Sequence, residues 1–306
     1  MNFKVKVILQ HIFSNIPYGE RFNCFFQKNI KGLRNLFWEK VQKAQAHYEK
    51  YLQHTKLGNP LGGEFYEFGV GRDLIIPLTF FGFGINKQII TDLKKLITCE
   101  LLNDTLDKFR ENYTELNRQI KITRNPHQHF ESFLNGDEVL RQLKTHFGIS
   151  YIAPLDARDT SIDSDSIDFI STTDTFEHIP SKDIIPILKE CWRILRPEGT
   201  MSNIIDLQDH YAYFDKHISK YNFLKYSESS WRFLNPSLHY QNRLRHKDYI
   251  EICSNAGFSI LEDIVQLPSI EDLLSLKDIE THSKFSYYTP EELAIRRIHL
   301  VLRKEA

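Results

Sequence analysis

The 306-residue chain has the composition of a globular protein, with 41% hydrophobic and 26% charged residues. Its 39 Lys and Arg side chains nearly balance 40 Asp and Glu side chains, which argues against a protein drawn as a whole onto nucleic acid or an anionic membrane. Four cysteines without CxxC spacing indicate free thiols, no structural zinc and a reducing, cytoplasmic location.

The hydrophobic pattern first predicts a helix with a long apolar stripe near the N-terminus. Apolar residues recur at spacings of four and three, which is typical of one helix face: Phe37, Val41, Ala44, Tyr48 and Tyr51. The helix ends at the Gly- and Pro-containing turn LGNPLGG, 57–63. We predict a helical N-terminal segment, 1–60, that acts as a lid on a main domain, 61–306. No stretch reaches the roughly 18 apolar residues of a membrane-spanning helix, so we expect a soluble protein without membrane insertion.

Seven predicted strands alternate with helical stretches in the main domain. They lie at 64–68, 87–92, 149–155, 167–172, 200–205, 258–265 and 296–303. This alternation predicts an α/β fold with a mainly parallel seven-stranded sheet and helices on both faces. Ligands of such sheets bind beyond the carboxyl ends of the strands.

The first strand ends in EFGVGRD, 67–73, and a helix is expected from about Asp73. Gly69 and Gly71 let the chain turn sharply and let a ligand approach the backbone. In the dinucleotide fingerprint GxGxxG the third glycine would be residue 74, which is leucine here, and this disfavours a nicotinamide cofactor. Alone, the two glycines fit a structural turn about as well as a binding loop.

The second strand ends at Asp92, 21 residues after Gly71. A carboxylate at this distance can accept hydrogen bonds from both ribose hydroxyls of a dinucleotide or an adenosyl ligand. The alternative is a helix N-cap.

The next two strands narrow the choice. YIAPLDARDT (151–160) ends in an acidic loop, and SIDFISTTDTFEHIP (166–180) breaks into polar residues before a helix containing ILKECWRILRPEGT (187–200). Together with the glycine loop and Asp92, these motifs resemble class I S-adenosylmethionine-dependent methyltransferases, in the branch of quinone and small-molecule methyltransferases. The resemblance covers roughly 64–206 and resumes at NAGFSI, 255–260, and at RRIHLVLRK. It implies a Rossmann-like fold and S-adenosylmethionine as cofactor.

The resemblance also implies a set of cofactor-binding residues. Glu67, Gly69 and Gly71 would shape the pocket for the methionine end. Asp92 would bind the ribose, and Leu93 would pack on the adenine.

At the other end of the ligand, Asp156 and Ala157 would meet the adenine edge, while Thr173 and Asp174 would lie beside the methionine portion and the methyl group. The chain departs from the family pattern at Asp73, where a third glycine is frequent.

Two predicted insertions extend this domain, at about 100–145 and at 207–250. The first contains an apolar helical repeat from Leu102 to Leu116, and the second is rich in aromatic, His, Asn and Arg residues. Because the core binds a shared cofactor, acceptor choice should depend on the insertions and the N-terminal helices. The polar content of 207–250 favours a small-molecule or glycan acceptor, such as a sugar or natural-product hydroxyl.

Asp206, Asp209 and His210 follow the fifth strand and are the candidates for acid–base catalysis of methyl transfer. The same DLQDH group would also suit a divalent metal, and His210 could be purely structural, but we assign no metal ligand. His178 is interpreted as bracing its loop.

Two other functions compete with this interpretation. A nucleic-acid methyltransferase should show a basic surface, and only RLRHK, 243–247, forms a local basic cluster, so we expect no nucleic-acid partner. A nicotinamide-dependent oxidoreductase is disfavoured by Leu74 and by the motifs between 156 and 180.

Overall fold

The computed structural model describes residues 2–14, 36–57, 60–133 and 138–305. The helices in these ranges are α1 (Phe3–Ser14), α2 (Leu36–His54), α3 (Ile75–Gly82), α4 (Cys99–Glu111), α5 (Tyr113–Ile120), α6 (Pro126–His129), α7 (Glu138–Phe147), α8 (Ser181–Ile194), α9 (Glu228–Leu234), α10 (His246–Asn255), α11 (Ile270–Lys277) and α12 (Pro290–Leu293). The strands are β1 (Phe65–Phe68), β2 (Gln88–Thr91), β3 (Ile149–Ile152), β4 (Ile167–Thr173), β5 (Leu195–Asp206), β6 (Ser259–Val265) and β7 (Arg297–Arg303).

The strands form one seven-stranded sheet in the order β3-β2-β1-β4-β5-β7-β6. Strands β1 to β5 run parallel, and β7 is antiparallel to both β5 and β6. The predicted α/β fold with a mainly parallel seven-stranded sheet is therefore confirmed. The chain leaves β1 towards β2 on one side and returns to β4 on the other, so the order reverses between β1 and β4, where open α/β sheets bind ligands.

Both faces of the sheet are covered, which explains why β1 and β4 are buried along their whole length. Phe65 and Phe169 point into a core built with α2, α3, α4 and α7. Their neighbours Tyr66 and Ile170 point the other way, into a core built with α8 and α10.

Three predicted helix boundaries are wrong. The 102–116 repeat spans two helices, because Asn112 leaves helical geometry and its side chain bonds the carbonyl of Lys108 at 2.8 Å. The helix predicted to run through 187–200 ends at Ile194, and β5 starts at Leu195. The helix after the glycine loop begins at Ile75 rather than Asp73, since Leu74 is left-handed with φ 50°.

The described parts of the N-terminal segment, 2–14 and 36–57, contain two helices at different places. In α1, the amide of Phe3 donates to Asp215 Oδ2 at 2.9 Å, which joins this helix to the 207–250 insertion. Helix α2 packs on α3 and against β4 and β5. The lid role of 1–60 stays a prediction. In the described part of the chain, no helix is both long and apolar enough to cross a membrane.

Candidate functional site

The glycine loop follows β1 directly and is held in place by its neighbours. The amide of Gly69 donates to the carbonyl of Thr91 at 2.8 Å. Gly69 and Gly71 have φ of 71° and 76°, in the left-handed region that favours glycine. A Cβ added at Gly69 would lie 2.4 Å from Thr175 Cγ2, whereas one added at Gly71 would meet nothing within 4 Å.

These two glycines make a matched pair for a test. Both alanine variants acquire the cost of a left-handed residue, on the order of 1 kcal/mol, but only Gly69→Ala also clashes with Thr175. We expect Gly69→Ala to lower the free energy of unfolding by about 1–3 kcal/mol more than Gly71→Ala does. Urea unfolding measures both. Adding Thr175→Ala should recover part of the difference, and equal losses in the two glycine variants would contradict this account.

Asp92 lies just beyond β2 and is 5% exposed. Its carboxylate accepts hydrogen bonds from the Gly71 amide at 3.3 Å and from the Tyr151 hydroxyl at 3.1 Å. Burial raises the pKa of Asp92 to about 6, although these two hydrogen bonds oppose the shift. The bond to Gly71 links the acid to the glycine loop, as a shared ligand site requires.

A cavity of about 470 Å³ opens at this edge of the sheet. It is lined by five of the predicted cofactor residues, namely Gly69, Asp92, Leu93, Asp156 and Ala157. Leu93 is 66% exposed and available to a flat ligand. Asp156 is held by Arg158, whose Nε is 3.0 Å from each carboxylate oxygen and whose hydrogen bonds lower the pKa of the acid.

Four of the predicted cofactor residues do not line this cavity: Glu67, Gly71, Thr173 and Asp174. Glu67 is on β1, next in the chain to the lining residue Phe68, and Thr173 ends β4 and is followed by Asp174 and the lining residue Thr175. Glu67 is 3% exposed, and its Oε2 has no hydrogen-bond partner among the described residues. Burial and the charge of Asp92 raise the pKa of Glu67 to about 8. Asp174 is left-handed with φ 47°, and its Oδ1 is likewise buried and unpartnered in the part that the structure describes.

Helix α2 reaches the same edge with a polar face that the sequence analysis missed. Lys40 bonds Asp73 at 2.7 Å, and Lys43 pairs with Asp174. His47 is fully buried, with Nδ1 2.7 Å from Ser202 Oγ and Nε2 3.0 Å from Thr173 Oγ1. The spacing 40, 43, 47 places all three on one helix face, directly beside the apolar stripe, and this spacing could have been recognised in the sequence.

The three acid–base candidates separate in the structure. Asp206 and His210 are buried and adjacent, with His210 Nε2 3.5 Å from Asp206 Oδ2. Burial alone would raise the pKa of Asp206, but the nearby His210 and the hydrogen bonds donated by the Tyr213 hydroxyl and the Gln208 amide hold it below its usual value.

Asp209, in contrast, caps the turn His210–Tyr213. It accepts from the Tyr211 amide at 2.8 Å and from Asn222 Nδ2 at 3.1 Å, and its side chain is fully buried. These contacts give Asp209 a structural place in the turn and do not support the predicted part in acid–base chemistry.

His178 joins the cavity to the Asp206–His210 pair. It lines the cavity, and its ring centroid is 4.8 Å from that of His210. Its Nδ1 lies 2.8 Å from the carbonyl of Tyr240, which fits the predicted bracing of the loop. Next to it, Glu177 is 1% exposed, and burial together with Asp174 and Asp206 raises its pKa well above the usual value.

The middle of the chain matches a known family model. Residues 134–202, which include β3, β4 and α8 and reach into β5, match the model described as "Methyltransferase domain". This segment of the chain is similar to a methyltransferase domain. The resemblance inferred from the sequence motifs is thereby confirmed, and so is the expectation of an enzyme of this kind. A search of curated proteins finds no match.

Solved structures similar to this chain share little sequence identity with it. A putative sarcosine dimethylglycine methyltransferase from Galdieria sulphuraria is 14% identical, with 88% of this chain and 86% of that chain covered and a TM-score of 0.45. A geranyl diphosphate C-methyltransferase from Streptomyces coelicolor A3(2) is 12% identical, with 85% and 77% covered and a TM-score of 0.44. The [4+2]-cyclase SpnF is 13% identical, with 87% and 83% covered and a TM-score of 0.47. Similarity at this level carries no argument about the reaction.

Proposed function

We propose that this domain transfers the methyl group of S-adenosylmethionine to a hydroxyl of a small polar acceptor, such as a sugar or natural product. The main support for this proposal is that the cavity and the acid–base pair Asp206–His210 are adjacent. The cavity lined by Gly69, Asp92 and Asp156 suits an adenosyl ligand, and through His178 it borders the buried Asp206–His210 pair.

The cofactor would lie across the ends of β1, β2 and β3. Asp92 would bind the ribose diol, Leu93 would pack on the adenine, and Asp156 would accept from its exocyclic amine. Gly71 would complete the loop at the methionine end, with Glu67 facing the cofactor ammonium. Thr173 and Asp174 would flank the methyl group.

In the transfer step, a lone pair of the acceptor oxygen attacks the methyl carbon in line with the C–S bond. That bond breaks, its electron pair stays on sulfur, and S-adenosylhomocysteine is released. The proton of the acceptor hydroxyl passes to the Asp206–His210 pair, since a positioned imidazole is a common general base near neutral pH. The remaining catalysis is orientation of the two reactants and exclusion of water.

A nucleic-acid acceptor is the second candidate, and the basic cluster 243–247 speaks against it. Arg245 is fully buried and donates to the carbonyls of Leu207, Leu293 and Ile295. Arg243 is also buried, and Lys247 pairs with Glu292. These side chains are engaged in the fold, so the cluster offers little charge to phosphates.

We also propose a cytoplasmic location, supported by Cys191 and Cys253, which are buried thiols outside any disulfide.

Calorimetric titration tests the cofactor assignment. We expect S-adenosylmethionine and S-adenosylhomocysteine to bind with dissociation constants in about the micromolar range and NADH not to bind, because Leu74 interrupts the dinucleotide fingerprint. Asp92→Ala should weaken binding by about 1–3 kcal/mol, the usual cost of lost hydrogen bonds to a charged group. Asp278→Ala is the control, because this carboxylate is exposed, follows α11 and does not line the cavity.

The acceptor class is then identified by incubating the enzyme with methyl-labelled cofactor and a cell extract and determining the labelled product. Label in a low-molecular-weight hydroxyl supports the proposal. Label in RNA or DNA would replace it with the second candidate, and tight NADH binding without a response to either adenosyl compound would overturn it.

A further inference from the structure

We propose that Glu177, His178 and His210 bind one divalent transition-metal ion beside the cofactor cavity. These residues come from the loops after β4 and β5, two adjacent parallel strands whose carboxyl ends share one edge of the sheet. Each residue offers one ligand atom, and the three atoms lie within 4.8 Å of one another.

The spacing suits a metal after a small adjustment. Two atoms bound tetrahedrally to one Zn²⁺ at about 2.1 Å are about 3.4 Å apart. Atoms within 4.8 Å of one another therefore need to close by up to about 1.4 Å, which rotations of the Glu177 and His210 side chains would provide.

Two of the three residues are buried with polar atoms left unpartnered. Glu177 is 1% exposed and His210 is 8% exposed. Across the described ranges of the chain, Glu177 Oε2 has no hydrogen-bond partner, and His210 Nε2 has no hydrogen bond but lies 3.5 Å from Asp206 Oδ2. Buried polar atoms are nearly always satisfied, so the unpartnered Glu177 oxygen close to two imidazoles indicates an absent ligand.

The third residue is oriented as a metal ligand would be. His178 Nδ1 lies 2.8 Å from the Tyr240 carbonyl, which can only accept, so Nδ1 carries the proton. In the neutral ring, Nε2 then keeps its lone pair for a metal. Metal-binding histidines commonly donate their other N–H to a backbone carbonyl in this way. His178 also lines the cavity, so an ion and the acceptor can enter from there.

The charge around the site favours a cation. Three carboxylates converge here, from Asp174, Glu177 and Asp206. Asp174 is paired with Lys43, and Asp206 is bonded to Tyr213 and Gln208, which leaves Glu177 as the uncompensated acid. Two imidazoles and one carboxylate suit Zn²⁺, Co²⁺, Fe²⁺ or Mn²⁺ better than Mg²⁺ or Ca²⁺, which prefer oxygen ligands.

The role of the ion rests on the proposed function. With three protein ligands, the ion keeps an open position for the acceptor oxygen, as catalytic metal sites do. Coordination lowers the pKa of the acceptor hydroxyl and holds its oxygen near the methyl group. Asp206, which lies outside the three ligands, then takes the proton that His210 would otherwise accept.

Metal binding is measured directly, without activity. Untagged protein is freed of metal by chelation and titrated by calorimetry with Zn²⁺ and, separately, with Co²⁺, whose visible absorption reports imidazole ligation. We expect one ion per chain. Glu177→Gln, which keeps the side-chain shape, and His210→Gln should each weaken binding by more than the roughly 10–100-fold that loss of an outer-shell partner costs. His217→Ala removes an exposed imidazole of the same segment and should change nothing.

Circular dichroism checks that each variant is folded. If His210→Gln does not fold, the test rests on Glu177→Gln. Absence of stoichiometric binding to the wild type, or binding unchanged in Glu177→Gln, would overturn the metal site. The proposed function is scored separately on metal-free protein. If the metal-free protein binds S-adenosylhomocysteine and transfers methyl groups fully in the presence of chelator, the proposed role of the ion is wrong and the proposed function is retained. No adenosyl binding with or without Zn²⁺ removes the function, whatever the metal titration shows.

Discussion

His210→Ala is expected to lower methyl transfer about 100-fold or more, within the range for a lost general base, while leaving the affinity for S-adenosylhomocysteine nearly unchanged. The reason is the position of the side chain. His210 borders Asp206 and His178 but is absent from the lining of the cofactor cavity. Turnover under saturating cofactor and calorimetry on the same preparation measure the two quantities.

Three roles of His210 predict different results. A structural role predicts a lower melting temperature with near-normal turnover per folded molecule. A role as proton acceptor predicts lost turnover that Asp206→Asn partly reproduces, with the wild type insensitive to chelator. A role as metal ligand predicts that chelated wild type falls to the level of the variant. Full activity of His210→Ala would remove the residue from the reaction.

Much of the fold could be predicted because strand signals in this chain are local. Each strand is predicted from a short apolar run between polar or Gly- and Pro-containing stretches. Strands β1 and β4 are buried on both faces, which explains why their apolar runs are continuous. Helix ends were harder to predict. The break at Asn112 depends on its side chain, which competes for a backbone carbonyl. The apolar spacing continues through Leu116 and so gives no sign of this break.

That Gly69, Asp92 and Asp156 would lie close together could also be inferred from chain distance, since each follows a strand of one parallel sheet. The acceptor side could not. Asp209 and His210 are neighbours in sequence, yet the turn that Asp209 caps sends their side chains to different surroundings. Likewise, nothing local tells which face of α2 meets the sheet edge, so the reach of Lys43 to Asp174 required the packed structure.

The second large effect concerns Glu67 and the pH dependence of stability. Its pKa is raised from 4.5 to about 8, mainly by burial and then by Asp92, with Lys40 opposing. The folded protein thus holds this proton more tightly than the unfolded chain does. The free energy of unfolding should fall as pH rises from about 4.5 to about 8 and level off above, by about 5 kcal/mol in total if Glu67 acted alone.

Glu67→Gln should remove most of this slope and make the unliganded protein more stable than the wild type at pH 8, because glutamine copies the neutral acid. Asp92, with a pKa of about 6, leaves a smaller decline between about pH 4 and 6 in both proteins. Urea unfolding at pH 5, 6.5 and 8 measures the slopes. In the proposed complex, the cofactor ammonium compensates the Glu67 carboxylate, so S-adenosylhomocysteine should stabilise the wild type more at pH 8 than at pH 5. The variant should show little such gain. Parallel pH profiles of wild type and Glu67→Gln, with or without ligand, would mean that Glu67 stays charged in the folded protein and that a partner other than the cofactor neutralises it.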